Sequence, residues 1–469
     1  MKGKRLTVAG VMMLAISAVV AATAAAGGSF WSHKDATEQA VASALRHKQP
    51  KNVIFLLGDG MGTQEITAAR YYQGVGNALN VDRMPFTGFD TTWSVKPGAA
   101  SPYLPDYDPD SASTGSAWAT GQKTVDERIS QGPSTEITVP GPNLKTILEI
   151  AQEEGKKVGD VSTAEITDAT PAVLASHISQ RGCQGPANMG ACPTETKAAG
   201  GLGSIAEQMV DHKVDVLLGG GRARFTAKVA GGPFDGKTVV EEAIEGGYRY
   251  VTDADGLSTV AANKPVLGLF NDSNMSLEWT GPATSLGKGN APAPCTEGQR
   301  PANEPSLAAM TRRAIDLLDQ RGNRKGFFLQ VEGASIDKQD HATNACGQIG
   351  ETVAFDRAIG VALDYQEDHP DTLVVVTADH SHTSQIVGED AGGTGLPTGY
   401  STNLTTKDGQ TLSLTYGTAG YEAGKAPAAT PPSQQHTGAV VPVWAAGPGG
   451  LAVLGTNDHT DLFTTLSGH

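Results

Sequence analysis

NVIFLLGDG, residues 52–60, carries an unbroken apolar run from Val53 to Leu57 that stops at Gly58-Asp59-Gly60. A run of this length without polar alternation suits a strand buried on both faces, and such strands are parallel ones flanked by helices. The same pattern recurs in VDVLLGGG (214–221), GFFLQVEGA (326–334) and TLVVVTADH (372–380). Between the runs the spacing turns helical. In ETVAFDRAIGVALDYQ, Val353, Ala354, Ala358, Val361, Ala362 and Tyr365 share one face, and SLAAMTRRAIDLLDQ (306–320) reads likewise. Alternating strand and helix predicts an α/β fold, a mostly parallel central sheet flanked by helices on both faces. In such sheets, ligands sit beyond the carboxyl ends of the strands.

The residues at those strand ends are the ones that carry chemistry. Asp59 follows the first run; Glu332, Asp337 and His341 follow the third; Asp379, His380 and His382 follow the fourth. A lone Asp or His at a strand end is ordinarily a cap or a solvated group. Three strand ends carrying carboxylates, two of them also His, point instead to a cluster of more than one metal with nitrogen and oxygen donors suited to zinc. Asp337 and His341 are four apart and share a face if their segment is helical. Asp379 and His380 are adjacent and need a turn to reach one ion.

The segment DPDSASTGSAWATG (108–121) is built almost wholly from small residues. It reads as a helix start with Asp110 or Ser111 as N-cap and Gly121 just past the end. The same stretch places Ser111 at a helix N-terminus, where the dipole favours an oxyanion, so Ser111 also reads as a nucleophile.

The 469 residues carry a formal net charge of −15, which argues against nucleic acid or an anionic membrane surface as partner. Lys2, Lys4 and Arg5 precede the apolar run Leu6 to Val20 and small residues to Ala26, so residues 1–26 read as a secretory signal peptide. No other long apolar stretch occurs, so the mature chain is expected to be exported and soluble, in the periplasm or secreted. Cys183, Cys192, Cys295 and Cys346 contain no C-x-x-C, and export favours disulfides with three pairings open. Residues 97–109 read as a Pro-rich loop. Residues 388–435 read as an insertion of loops and short antiparallel strands over the strand ends. Candidate site residues run from Asp59 to His436, the last of them implied only by the family resemblance that follows, so 27–469 is expected to be one catalytic domain with insertions.

Several segments together resemble the bacterial alkaline phosphatases: GDGMG (58–62), DSASTGSAWATG (110–121), STAEITDATPA (162–172), VEGASIDKQDHA (331–342), CGQIGET (346–352), TADHSHTSQI (377–386) and QHTG (435–438). They fall in the family's order and span Lys51 to Phe463. The resemblance implies a phosphomonoesterase with two Zn2+ and one Mg2+ per chain, working through a phosphoserine on Ser111. By matching motif, Asp337, His341 and His436 would hold one zinc, and Asp59, Asp379 and His380 the other. Asp59 would also reach magnesium, with Thr170 and Glu332. Asp168 would order magnesium-bound water, Lys338 would reach the phosphate through water, and His382 would support a zinc ligand. Arg181, in HISQRGCQG, would place its fork on two non-bridging phosphate oxygens. The resemblance further implies the pairs Cys183–Cys192 and Cys295–Cys346, and a homodimer. The chain stops at Ser467-Gly468-His469, where family members usually continue a final helix. The rivals are a phosphodiesterase or sulfatase of the same superfamily and a non-catalytic phosphate-binding protein. No sulfatase-like Cys or Ser followed by Pro and Arg stands at Ser111, and no G-x-S-x-G occurs.

Overall fold

The computed structural model describes residues 40–468 apart from 43, 46–48, 321, 389–398 and 420–432. Residues 1–26, read as a signal peptide, lie outside the described residues. A ten-stranded sheet runs through the molecule. Its strands in chain order are β1 (Asn52–Gly58), β2 (Phe86–Thr91), β3 (Lys157–Glu165), β4 (Val216–Gly220) and β5 (Arg249–Val251). Then come β6 (Val266–Leu269), β7 (Phe327–Gly333), β8 (Thr372–Ala378), β9 (Val441–Ala446) and β10 (Gly455–Asp458). They lie in the order β10-β2-β9-β8-β1-β7-β3-β4-β6-β5. From β8 to β5 every pairing is parallel; β9 is antiparallel to both its neighbours.

β1 shows why this sequence makes this sheet. Val53, Phe55 and Leu57 pack on one face, in a core with Trp118, Leu148, Val173 and Met209. Those four come from helices α1 (Ser111–Thr120), α2 (Ile147–Glu153), α3 (Ala169–Ala175) and α4 (Ile205–Asp211). Ile54 and Leu56 pack on the other face with Met310, Leu318, Phe355 and Ile359. These belong to α5 (Leu307–Leu318) and α7 (Ala345–Asp368), with the short α6 (Ser335–His341) between them. Each such side chain contributes about 1.5–3 kcal/mol of burial, so both faces of the sheet need their helices.

Four adjacent parallel strands, β8, β1, β7 and β3, open onto one end of the sheet. There β1 turns through Gly60, whose φ of +67° is left-handed. A Cβ at Gly60 would meet His382 Cδ2 at 2.7 Å, so the turn and the close approach both require glycine. The segment expected to cover this end contributes Tyr400–Thr405 and Thr411–Tyr416 to a four-stranded antiparallel sheet. That sheet also recruits Ser384–Val387 and Ser285–Leu286, so it is not confined to 388–435. Among the described residues, no helix is long and apolar enough to cross a membrane.

Candidate active site

α1 begins at Ser111, and the cap is Asp110: its Oδ1 accepts from Ser113 N at 3.0 Å. Capping leaves Ser111 as the first helical residue, nearly fully buried, at the positive end of the helix. Its Oγ lies 3.2 Å from His380 Nε2 and 3.5 Å from Asp59 Oδ1. The helix is buried along its whole length, which its small residues permit.

Two groups of donors converge beside that hydroxyl. In one, His341 and His436 approach Asp337 Oδ1 through Nε2 at 3.3 and 3.4 Å, while their own Nε2 atoms meet at 3.0 Å. Both rings turn Nδ1 to a backbone carbonyl, His341 to Gln434 and His436 to Pro109. A carbonyl only accepts, so Nδ1 donates and the Nε2 lone pairs converge. His382 Nε2 lies 2.7 Å from the same Asp337 oxygen. In the other group, His380 Nε2 stands 3.1 Å from Asp379 Oδ2 and 3.6 Å from Asp59 Oδ1. The turn that adjacent Asp379 and His380 required is fixed by Asp379 Oδ1, which accepts from Gly60 N at 2.8 Å and His380 N at 2.9 Å.

A third group is all oxygen. Glu332, at the end of β7, lies beside the buried Thr170 on α3 and close enough to Asp59 to raise its pKa. Ser162 Oγ donates to Glu332.

The electrostatics show a site short of positive charge. Burial, then the carboxylates of Asp379, Asp337 and Glu332, push the Asp59 carboxyl well up. Burial pushes Glu332 up to about 7. Burial also pushes His380 well down, with His436 adding to it. Packed carboxylates and converging imidazole lone pairs need cations, and these donors fit nitrogen-and-oxygen sites for zinc and an oxygen site for magnesium.

Arg181 reaches the same end of the sheet. Nη1 donates to Asp110 Oδ2 at 3.2 Å and Nη2 to Asp168 Oδ1 at 3.0 Å. Lys338 Nζ donates to Asp168 Oδ2 at 2.7 Å. Burial alone would raise the Asp168 carboxyl, but Lys338 and Arg181 outweigh it and hold it well below its usual range.

Residues 50–468 match the alkaline phosphatase family. The chain belongs to the alkaline phosphatase family. It is 46% identical over 442 residues to a streptomycin-6-phosphate phosphatase of Streptomyces griseus, covering 92% of this chain and 93% of that one. It is 44% identical over 436 residues to the alkaline phosphatase of Escherichia coli, covering 91% and 87%. The alkaline phosphatase of the Antarctic bacterium TAB5 superposes with a TM-score of 0.63 at 25% identity, covering 89% and 97%. The enzyme is therefore a metal-dependent phosphoric monoester hydrolase.

The two disulfides join Cys183 to Cys192 and Cys295 to Cys346, the pairing the resemblance implied. Two features of the site were missed in the sequence. Asp110 was read only as a cap, yet its Oδ2 also accepts from Arg181 and from Glu127 N at 3.1 Å. Its position directly before Ser111 was the available signal. The 97–109 loop was left without a role, yet the Pro109 carbonyl fixes the His436 ring at 3.1 Å. No local pattern marks a backbone carbonyl for that task.

Proposed function

We propose that this alkaline phosphatase hydrolyses phosphate monoesters by transfer to Ser111. Ser111 Oγ forms a bond to phosphorus as the ester oxygen leaves and takes up a proton. Water then attacks the phosphoserine, the Oγ–P bond breaks, and inorganic phosphate departs. The observation that carries this reading is a buried hydroxyl at a helix N-terminus, 3.2 Å from His380 Nε2 and 3.5 Å from Asp59 Oδ1. Asp337, His341 and His436 would hold one zinc, Asp59, Asp379 and His380 a second. Asp59, Thr170 and Glu332 would hold magnesium, giving two Zn2+ and one Mg2+ per chain. When bound, the ions supply Lewis acidity toward the hydroxyl and phosphoryl oxygens. His382 orients Asp337, and Pro109 and Gln434 orient the two imidazoles. Arg181, held by Asp110 and Asp168, takes two non-bridging oxygens of the ester. Lys338 keeps Asp168 ionised.

Residues 1–26 act as an export leader and 27–469 as one catalytic domain, working as a homodimer in the periplasm or outside the cell. The basic start, the apolar run and two disulfides support export. The test is a rapid acid quench with labelled monoester, followed by peptide mapping. Label on Ser111, absent from Ser111→Ala, is expected; label on another residue refutes the mechanism. Assays with a monoester, a diester and a sulfate ester exclude or admit the rival chemistries. The likeness to streptomycin-6-phosphate phosphatase adds streptomycin 6-phosphate to the esters worth assaying.

A further inference from the structure

Away from the active site, three side chains converge in the manner just described for Asp337. Glu149 sits in the first turn of α2, where its Oε2 accepts from Thr146 N at 2.8 Å as one half of a capping box. That leaves Oε1. Oε1 lies 3.2 Å from His177 Nε2, just after α3, and 3.2 Å from His212 Nε2, at the end of α4. His177 Nδ1 is 2.9 Å from the Ser130 carbonyl, and His212 Nδ1 is 3.0 Å from the Gln208 carbonyl. Both rings therefore carry a proton on Nδ1 and turn Nε2 toward the carboxylate. A carbonyl behind each imidazole is the usual arrangement behind a metal-ligating histidine.

The dimensions also fit. Zinc bonds of about 2.0–2.1 Å at tetrahedral angles place donor atoms roughly 3.3 Å apart, and both Glu149–His contacts are 3.2 Å. All three donor atoms lie within 4.8 Å of one another. His177 is buried, while Glu149 and His212 are each about a quarter exposed, so water is available as a fourth ligand.

We propose that Glu149, His177 and His212 form a further zinc-class divalent metal site, structural in role, that clamps the start of α2 to the segment between α3 and the end of α4. None of the three belongs to the active centre. The clamp lies on the chain leading to Arg181: Ile178 pairs with Ile129, and Arg181 N donates to Glu127 O at 2.7 Å. A second proton on one of the two rings is the competing way to balance the carboxylate, and the histidines do hold the Glu149 carboxyl well down against its burial.

Crystals of the metal-loaded enzyme, soaked in zinc, separate the two by anomalous diffraction on either side of the zinc edge. An anomalous peak among the three side chains is expected beside those of the catalytic sites. In solution, zinc added to enzyme whose catalytic sites are already full should raise Tm by about 3 °C at a hundredfold excess over Kd. His212→Gln and Glu149→Gln should lose that rise while keeping wild-type kcat; glutamine at 149 retains the capping bond. No anomalous peak at the triad while the catalytic sites show theirs, or an equal rise in both variants, overturns the proposal.

Discussion

Replacing Arg181 by alanine tests the assignment of substrate class. The guanidinium has five N–H donors. Asp110 Oδ2 and Asp168 Oδ1 take one each, at 3.2 and 3.0 Å, so three remain for a ligand. The two carboxylates also fix the plane of the fork before substrate arrives, so little ordering is left to do on binding. A monoester offers two charged non-bridging oxygens to that fork. Each charge-assisted bond is worth about 1.5–3 kcal/mol, so losing both costs about 3–6 kcal/mol, or roughly 10²–10⁴ in kcat/KM. A diester has one position blocked by its second alkyl group and loses about one bond, roughly 10–10²-fold. The assay is kcat/KM for an aryl monoester and the matching diester, on wild type and Arg181→Ala at equal metal content. An equal factor for both substrates would make Arg181 a structural residue and remove the physical ground for monoester preference.

Asp90, buried on β2, should make stability pH-dependent: burial, then Asp458 and Asp461, push its carboxyl up to about 7 from 3.8. The folded state then holds a proton that the unfolded state releases, so this contribution is present below pH 4 and is lost as pH rises through 7. The loss is on the order of 4 kcal/mol in full, and Asp90→Asn should gain in Tm over wild type at pH 8 but not at pH 4; an equal difference at both would refute it. Opening the Cys295–Cys346 bond, which spans 51 residues, should cost about 4 kcal/mol in the chain-entropy account and lower Tm by a few degrees. An unchanged Tm in Cys295→Ser/Cys346→Ser would show that α7 and its packing, not the link, hold that segment.

Apolar runs revealed β1, β4, β7 and β8 because those strands are covered on both faces and leave no polar alternation. β3 was not visible in the same way, although it is buried from Val158 to Glu165. Its sequence KVGDVSTAE is polar, and its polar groups are answered by others. Ser162 bonds Glu332, Gln330 faces Asp160 at 3.4 Å, and Arg224 reaches Glu165 at 2.8 Å. Hydropathy cannot report a strand whose burial is balanced by hydrogen bonds. Of the outer strands, β2 and β10 were missed because FTGFDT and GTND carry too little apolar length to stand out, whereas β9, VPVWAA, is apolar throughout but holds Pro442, which reads against a strand. The helices fared better at their starts. The stretch read as helical from Ser306 forms α5 with Ser306 as its cap, whereas α7 begins at Ala345, well before the periodic stretch from Val353, since its first turns face the disulfide and the covering sheet.

The site residues divide along the same line. Those that follow a buried strand within a few positions were legible, because a strand end fixes where the next residues must lie. His436 stood far from any marked strand. It reaches the site through a two-residue antiparallel pairing of His436–Thr437 with Ser381–His382. That pairing sets its ring against His380, with centroids 3.6 Å apart. Only the family resemblance placed it beforehand. Glu149, His177 and His212 had neither signal: they lie on three separate elements, and no motif covers the three. What joins them to the Asp337 group is a rule of local chemistry rather than of sequence. In both groups Nδ1 is committed to a carbonyl, Nε2 is left as a lone pair, and two such lone pairs meet one carboxylate oxygen. At Asp337 the carboxylate is buried and His382 reaches the same oxygen, so four donors converge there and favour a cation more strongly than the three at Glu149. At Glu149 the open side admits water, so metal and proton compete on nearer terms. Occupancy there should therefore fall on acidification before it falls at the active site, as the imidazoles are protonated in place of binding metal. Metal content measured per site across that range, by anomalous scattering, decides whether the shared geometry has a shared purpose; loss from both sites in step would count against it.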